Sequence, residues 1–137
     1  MQGRILIVDD DRDFVESLRV LLEGADYEVR VAYDGREGLA LARRERPDLI
    51  LVDVMMDERT EGFFTVQQLR RAPETAATPV FVVSAVYARV PELQVPPDPR
   101  WTGHDLFIAK PVDGEALLRQ VRETLAGRVP ERKGATP

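Results

Sequence analysis

The sequence predicts an α/β domain, a parallel five-stranded sheet covered on both faces by helices and so three layers deep. Three observations lead there. Short apolar runs alternate with stretches of helical periodicity along the 137 residues. Two of the runs, Ile5-Leu6-Ile7-Val8 and Leu49-Ile50-Leu51-Val52, are unbroken series of branched apolar residues, as strands buried on both faces are. Four of the five runs stop at a polar residue: Asp9 and Asp10, Asp53, Ser84, Lys110. In a parallel sheet such ends share one edge, where these folds place their chemistry.

Arg4–Val8 forms the first strand and ends in Asp9-Asp10-Asp11. Phe14, Val15, Leu18, Leu21 and Leu22 then recur at helical spacing, with Asp11 or Asp13 as N-cap and Gly24 as stop. Tyr27, Val29 and Val31 alternate with charged residues, the pattern of a strand with one wetter face, near an edge. Asp34-Gly35 turns the chain into an Ala- and Arg-rich helix with Leu39 and Ala42 inward, closed by Pro47. The central strand, Asp48–Asp53, carries its carboxylate at the sheet mouth. A polar loop follows, and Phe63, Val66 and Leu69 or Arg70 share the face of the next helix. Pro73 and Pro79 bracket a connector to the fourth strand, Val80–Val83, which ends in Ser84-Ala85. Pro91, Pro96, Pro97 and Pro99 bar a full helix from the next segment, since each removes a backbone donor and clashes with the preceding turn. Leu106–Ala109 is the fifth strand and stops at Lys110-Pro111. Asp113 caps a last helix with Leu117, Leu118, Val121 and Leu125 inward and Gly127 at its end. The folded unit is residues 1–127, and residues 128–137 have the composition of a flexible tail or linker stub.

Composition narrows the function. There are no cysteines, which excludes a disulfide framework, a thiolate zinc site and a Cys nucleophile, and fits a reducing cytoplasm. No apolar run approaches the roughly 18 residues of a membrane span, and the first residues lack a signal-peptide pattern. A net charge of -5 with Arg and Glu interspersed argues against direct nucleic-acid binding, which calls for a basic stripe.

The converging ends suggest a chemistry. Crowded carboxylates repel, which raises their proton affinity unless a cation holds them. A hard divalent ion such as Mg²⁺ suits them, taking one or two carboxylates and keeping several waters. Lys110 and the Ser84 hydroxyl would face an anion, and metal, lysine and hydroxyl together equip a site for a phosphoryl group. Asp53 is left as the nucleophile on phosphorus.

Ile5 to Asp11, the Asp53 strand, Val83-Ser84-Ala85 and Lys110-Pro111 together resemble the receiver domain of two-component response regulators, over about residues 3–126. The resemblance implies a flavodoxin-like sheet of order 2-1-3-4-5 with the site at the switch between strands one and three. It implies that Asp53 accepts phosphate from a histidine kinase or phosphotransfer protein. Asp10 would bind Mg²⁺ directly, Asp9 through water, and Met55 by its backbone carbonyl. Ser84 takes the switch position, Phe107 the swinging aromatic position, and Lys110 pairs with the phosphoryl group. A phosphoryl group adds charge and acceptor oxygens, pulling a two-position loop to one side. The output is an altered surface read by a downstream protein. Such a chain is a signalling domain, not an enzyme beyond its own phosphorylation and dephosphorylation.

The sequence departs from the family in two places. Asp57 stands where a proline is usual, and the proline-rich stretch before Lys110 is longer and replaces or shortens the family's fourth helix. In Met55-Met56, Glu61-Gly62 and Trp101 it is similar to a subgroup of single-domain receivers. Two other readings compete. A haloacid dehalogenase-like phosphatase also uses an Asp nucleophile with Mg²⁺, but Arg12 and Asp13 stand where it wants a threonine or valine. A pseudo-receiver would be a non-phosphorylated interaction module on the same fold, and the intact set of acid, hydroxyl and lysine argues against it.

Overall fold

The computed structural model describes residues 2–53, 61–85 and 105–127. In chain order the elements are β1 (Arg4–Val8), α1 (Arg12–Gly24), β2 (Glu28–Ala32), α2 (Gly35–Glu45), β3 (Leu49–Val52), α3 (Glu61–Arg71), β4 (Val80–Ser84), β5 (Leu106–Ala109) and α4 (Gly114–Leu125). The strands form one five-stranded sheet in the order β2-β1-β3-β4-β5, and every pair is parallel. This is the doubly wound sheet expected from the apolar runs. The segments holding Met55, Asp57, the proline-rich stretch, Trp101 and residues 128–137 lie outside the described residues, and with them the expected replacement of the family's fourth helix.

Alternation along the strands divides the core. Leu6, Val8, Ile50, Val52, Val80 and Val82 point to one face and pack with Ala42 of α2 and Val66 and Leu69 of α3. Ile5, Ile7, Leu49, Leu51, Phe81 and Val83 point to the other, against Val15, Leu18 and Leu22 of α1 and Leu117 and Val121 of α4. Each fully buried aliphatic side chain contributes roughly 1.5–3 kcal/mol, so β1 and β3 are anchored from both sides. β2 lies at the edge, as its mixed pattern predicts, but the expected alternation holds only at its start: Val29 and Ala32 are buried, whereas Glu28, Arg30 and Val31 are half-buried.

Three helices begin at the carboxyl edge of the sheet on an aspartate cap. Asp11 accepts the Phe14 N–H at 3.1 Å and Asp34 the Glu37 N–H at 2.7 Å. Asp113 accepts the N–H groups of Glu115 and Ala116 at 3.0 and 3.2 Å. Asp11, not Asp13, therefore starts α1. Such caps are worth about 1 kcal/mol each, by satisfying donors that a helix start leaves open. The stop of α1 falls at the expected glycine, and that of α2 one residue before the expected proline. Gly24 is the last residue of α1, and Asp26 carries the left-handed turn at φ 71°. Arg46 rather than Pro47 ends α2, at φ 47° with its N–H on the Ala42 carbonyl. Both turns need the αL conformation, and a side chain follows it where the next strand holds the chain in place.

Two further features set the geometry. A Cβ on Gly38 would lie 2.7 and 2.8 Å from the Val8 methyl groups, so the missing side chain is what lets α2 sit against the end of β1. On α3, Arg70 spends its guanidinium on the 72–79 connector and on β5. It donates to the carbonyls of Thr75, Ala76 and Thr78 and pairs with buried Asp105 at 2.9 Å. Asp105 in turn accepts the Val80 N–H at 2.8 Å, which ties the start of β4 to the start of β5.

Candidate functional site

The register of the two central strands builds the site. Val8 lies opposite Val52, so the residues after them, Asp9 and Asp53, leave the sheet side by side, and the Asp53 N–H donates to the Val8 carbonyl at 2.9 Å. Ser84 pairs with Ala109, which brings Lys110 off β5 toward the same rim. Among the described residues, Asp9, Asp10 and Asp53 form one acidic group, with a carboxylate oxygen from each within 4.8 Å of the others. Asp9 and Asp53 are 2% and 4% exposed. The Lys110 ammonium, itself mostly buried, donates to Asp9 Oδ2 at 2.9 Å and to Asp53 Oδ2 at 3.3 Å. Its peptide bond to Pro111 is cis.

Burial pushes the Asp9 carboxyl up to about 6, reinforced by the neighbouring Asp53 charge and opposed by the Asp11 N–H and by Lys110. The Asp11 N–H donates to Asp9 Oδ1 at 2.9 Å, so one oxygen of Asp9 is held by backbone and the other by an ammonium. Among the described residues, one ammonium faces these three carboxylates. The rim gathers hard oxygen donors that are partly buried and preassembled, and that donor set suits Mg²⁺. Lys110 already occupies part of the position a cation would take between Asp9 and Asp53. The chemistry of the residues and the resting position of the amine both fit a divalent ion.

Of the residues singled out by sequence, Asp9, Asp10, Asp53 and Lys110 are brought together here. Ser84 is the last residue of β4 at the same edge, and only its backbone is described. Phe107, on β5, is half-buried against the core cluster of Leu6, Val8 and Val82. Met55 lies outside the described residues. One member is not marked as such by the sequence pattern: Phe14 belongs to the apolar stripe of α1, and the Lys110 ammonium stands over its ring, 4.1 Å from the centroid. The one signal for it is its position, one turn into a helix that starts at the acidic strand end.

Residues 5–122 match the family described as the response regulator receiver domain. The chain is similar to protein PilH of Pseudomonas aeruginosa, 38% identical over 128 residues, covering 91% of this chain and 99% of PilH. It is equally similar to the DNA-binding dual master transcriptional regulator RpaA of Synechocystis sp., 38% identical over 130 residues, 93% of this chain. There it spans 52% of the relative's length. The solved structure of the chemotaxis response regulator CheY4 of Vibrio cholerae aligns with a TM-score of 0.74 at 29% identity, over 90% of this chain and 99% of that one. By sheet order, by the acids and lysine at one strand edge, and by these matches, the chain belongs to the response regulator receiver domain family, whose general function is to be phosphorylated by a kinase.

Proposed function

We propose that Asp53 is the phosphoacceptor of this chain and that residues 1–127 form a receiver which signals by changing the surface it offers to a downstream protein. The donor is a histidine kinase or phosphotransfer protein in the cytoplasm, and no direct contact with nucleic acid or membrane is needed. Among the described residues, no helix is long and apolar enough to cross a membrane. The observation that carries the reading is the Lys110 ammonium held between Asp9 and Asp53 at 2.9 and 3.3 Å, a buried cation already at the position an incoming phosphoryl oxygen would require.

In the transfer, an oxygen of the Asp53 carboxylate attacks phosphorus. The bond from phosphorus to the donor's imidazole nitrogen breaks, and its electron pair stays on the imidazole. The product is an acyl phosphate on Asp53. Asp9, Asp10 and Asp53, with the Met55 backbone carbonyl, would hold Mg²⁺, which when bound would offset charge on the carboxylates and the phosphoryl group. Lys110 moves its hydrogen bond from the Asp53 carboxylate to a phosphoryl oxygen. The Ser84 hydroxyl donates to another, and Phe107 follows the loop that Ser84 draws inward. A charge-assisted lysine contact and a hydroxyl contact made only in the phosphorylated state are what bias the loop.

The test is intact mass after incubation with Mg²⁺ and acetyl phosphate. Wild type is expected to gain one phosphate and Asp53→Ala none. Equal labelling of the two proteins, or steady release of phosphate over many turnovers of a generic phosphate ester, would overturn the assignment, the latter in favour of a phosphatase.

A further inference from the structure

Resting on that reading of the site, we propose that Phe14 is a positioning residue: its ring face holds the Lys110 ammonium at the sheet rim independently of Asp9 and Asp53. The amine then stays within reach of a phosphoryl group when a divalent cation claims those carboxylates.

The contacts close a ring. The Asp11 N–H donates to Asp9 Oδ1 at 2.9 Å, and the Asp11 carboxylate accepts the Phe14 N–H at 3.1 Å. The Lys110 ammonium sits 4.1 Å from the Phe14 ring centroid and donates to Asp9 Oδ2 at 2.9 Å. Phe14 is pinned at a second point, because the Ser17 hydroxyl donates to its carbonyl at 2.8 Å. These hydrogen bonds fix the Phe14 backbone at the start of α1, and its ring packs against the core cluster that includes Val15, Leu18 and Leu117, so the start of α1 sets where the aromatic face meets the lysine.

The chemistry explains why a ring is useful there. A lysine stem is flexible and its ammonium follows the strongest acceptor. A cation entering the acidic group competes for the same two carboxylates and repels the amine as well, so a lysine held only by Asp9 and Asp53 would swing outward. Another carboxylate at position 14 would hold it, but would also bind the cation and add to the crowding of carboxylates. An aromatic face attracts an ammonium through its quadrupole without carrying net charge, so it retains the amine and leaves the metal chemistry alone. Phe14 and Lys110 both line an open groove of about 600 Å³ with Leu18, Leu21, Pro111 and Val112, so the ring is the surface that the amine meets on that side of the rim.

The experiment compares full-length wild type, Phe14→Leu and Phe14→Tyr. The ε-methylene protons of Lys110 are followed by ¹H–¹³C NMR, first without metal and then at saturating Mg²⁺. A face-on ring shifts these protons upfield. The shift is expected in wild type and Phe14→Tyr, retained with Mg²⁺, and absent in Phe14→Leu. In the second arm, Phe14→Leu lowers the rate of phosphorylation by acetyl phosphate roughly three- to tenfold. Phe14→Tyr restores it, and Mg²⁺ affinity changes less than twofold throughout. An upfield shift that vanishes with Mg²⁺, a Phe14→Leu rate equal to wild type, or a Phe14→Tyr defect as large as that of Phe14→Leu would each overturn the proposal. If wild type takes no phosphate, the phosphoacceptor reading fails on its own, and the NMR arm still decides whether the ring holds the amine.

Discussion

Replacing Asp9 with asparagine should make the metal-free protein more stable while removing its response to Mg²⁺. Asp9 is 2% exposed and its carboxyl is pushed from 3.8 to about 6, by burial first and then by the Asp53 charge. At about 1.4 kcal/mol for each tenfold change in proton affinity, ionised Asp9 weighs about 3 kcal/mol against the folded chain at neutral pH. The folded state binds the proton more tightly than the unfolded state, so stability is fullest below about pH 4 and falls as pH rises through about 6. Asparagine keeps an oxygen for the Asp11 N–H but gives up the ion pair with Lys110, which retains Asp53. The net gain is therefore set at about 1–3 kcal/mol at pH 7.5, or a midpoint rise of about 3–10 °C in a domain of this size. Thermal and urea unfolding in EDTA measure it, at pH 7.5 and 4.5. The gain should shrink by about 2 kcal/mol at the lower pH, where wild-type Asp9 is largely protonated. With 10 mM Mg²⁺ wild type should gain stability by mass action and Asp9→Asn should not. An Asp9→Asn protein no more stable than wild type at pH 7.5 in EDTA, or one with the same gain at both pH values, would refute the reasoning.

Lys110→Met should raise Mg²⁺ affinity several-fold in isothermal titration, because the resident ammonium no longer competes for Asp9 and Asp53. The same change should cost the metal-free fold about 1–3 kcal/mol in urea unfolding, since it removes an ammonium paired with two buried carboxylates. Gly38→Ala should cost about 1–3 kcal/mol by the same assay, because the new methyl group meets Val8 at under 3 Å and α2 must move off the sheet. An unchanged midpoint there would mean that α2 yields freely.

The sheet and the acidic rim were legible because their signals are one-dimensional. An unbroken branched apolar run such as Leu49–Val52 has few alternatives to a buried strand, and parallel pairing sends every such run's last residue to one edge. Asp9, Asp53 and Lys110 could therefore be brought together before any contact was known. What stayed hidden depends on packing between elements distant in the chain. Nothing in the local sequence marks Gly38, whose lack of a side chain is required by Val8, 30 positions away. Arg70 looked like an alternative face residue to Leu69, and its partner Asp105 is separated from it by 35 positions. Arg46 was passed over for Pro47 because a left-handed turn at a non-glycine residue leaves no mark in composition.

The site is assembled against its own electrostatics. Among the described residues, two nearly buried carboxylates and a third beside them face one ammonium, and the fold tolerates this crowding because the strands that carry them are deeply anchored. Ile5 to Val8 and Leu49 to Val52 are each at most 1% exposed, and burial of that extent outweighs a local destabilisation of a few kcal/mol. The unfavourable charge is what gives a cation or a phosphoryl group leverage. A rim already neutral would gain little from binding either one, and a ligand shifts a conformational balance only by the difference in its affinity for the two states.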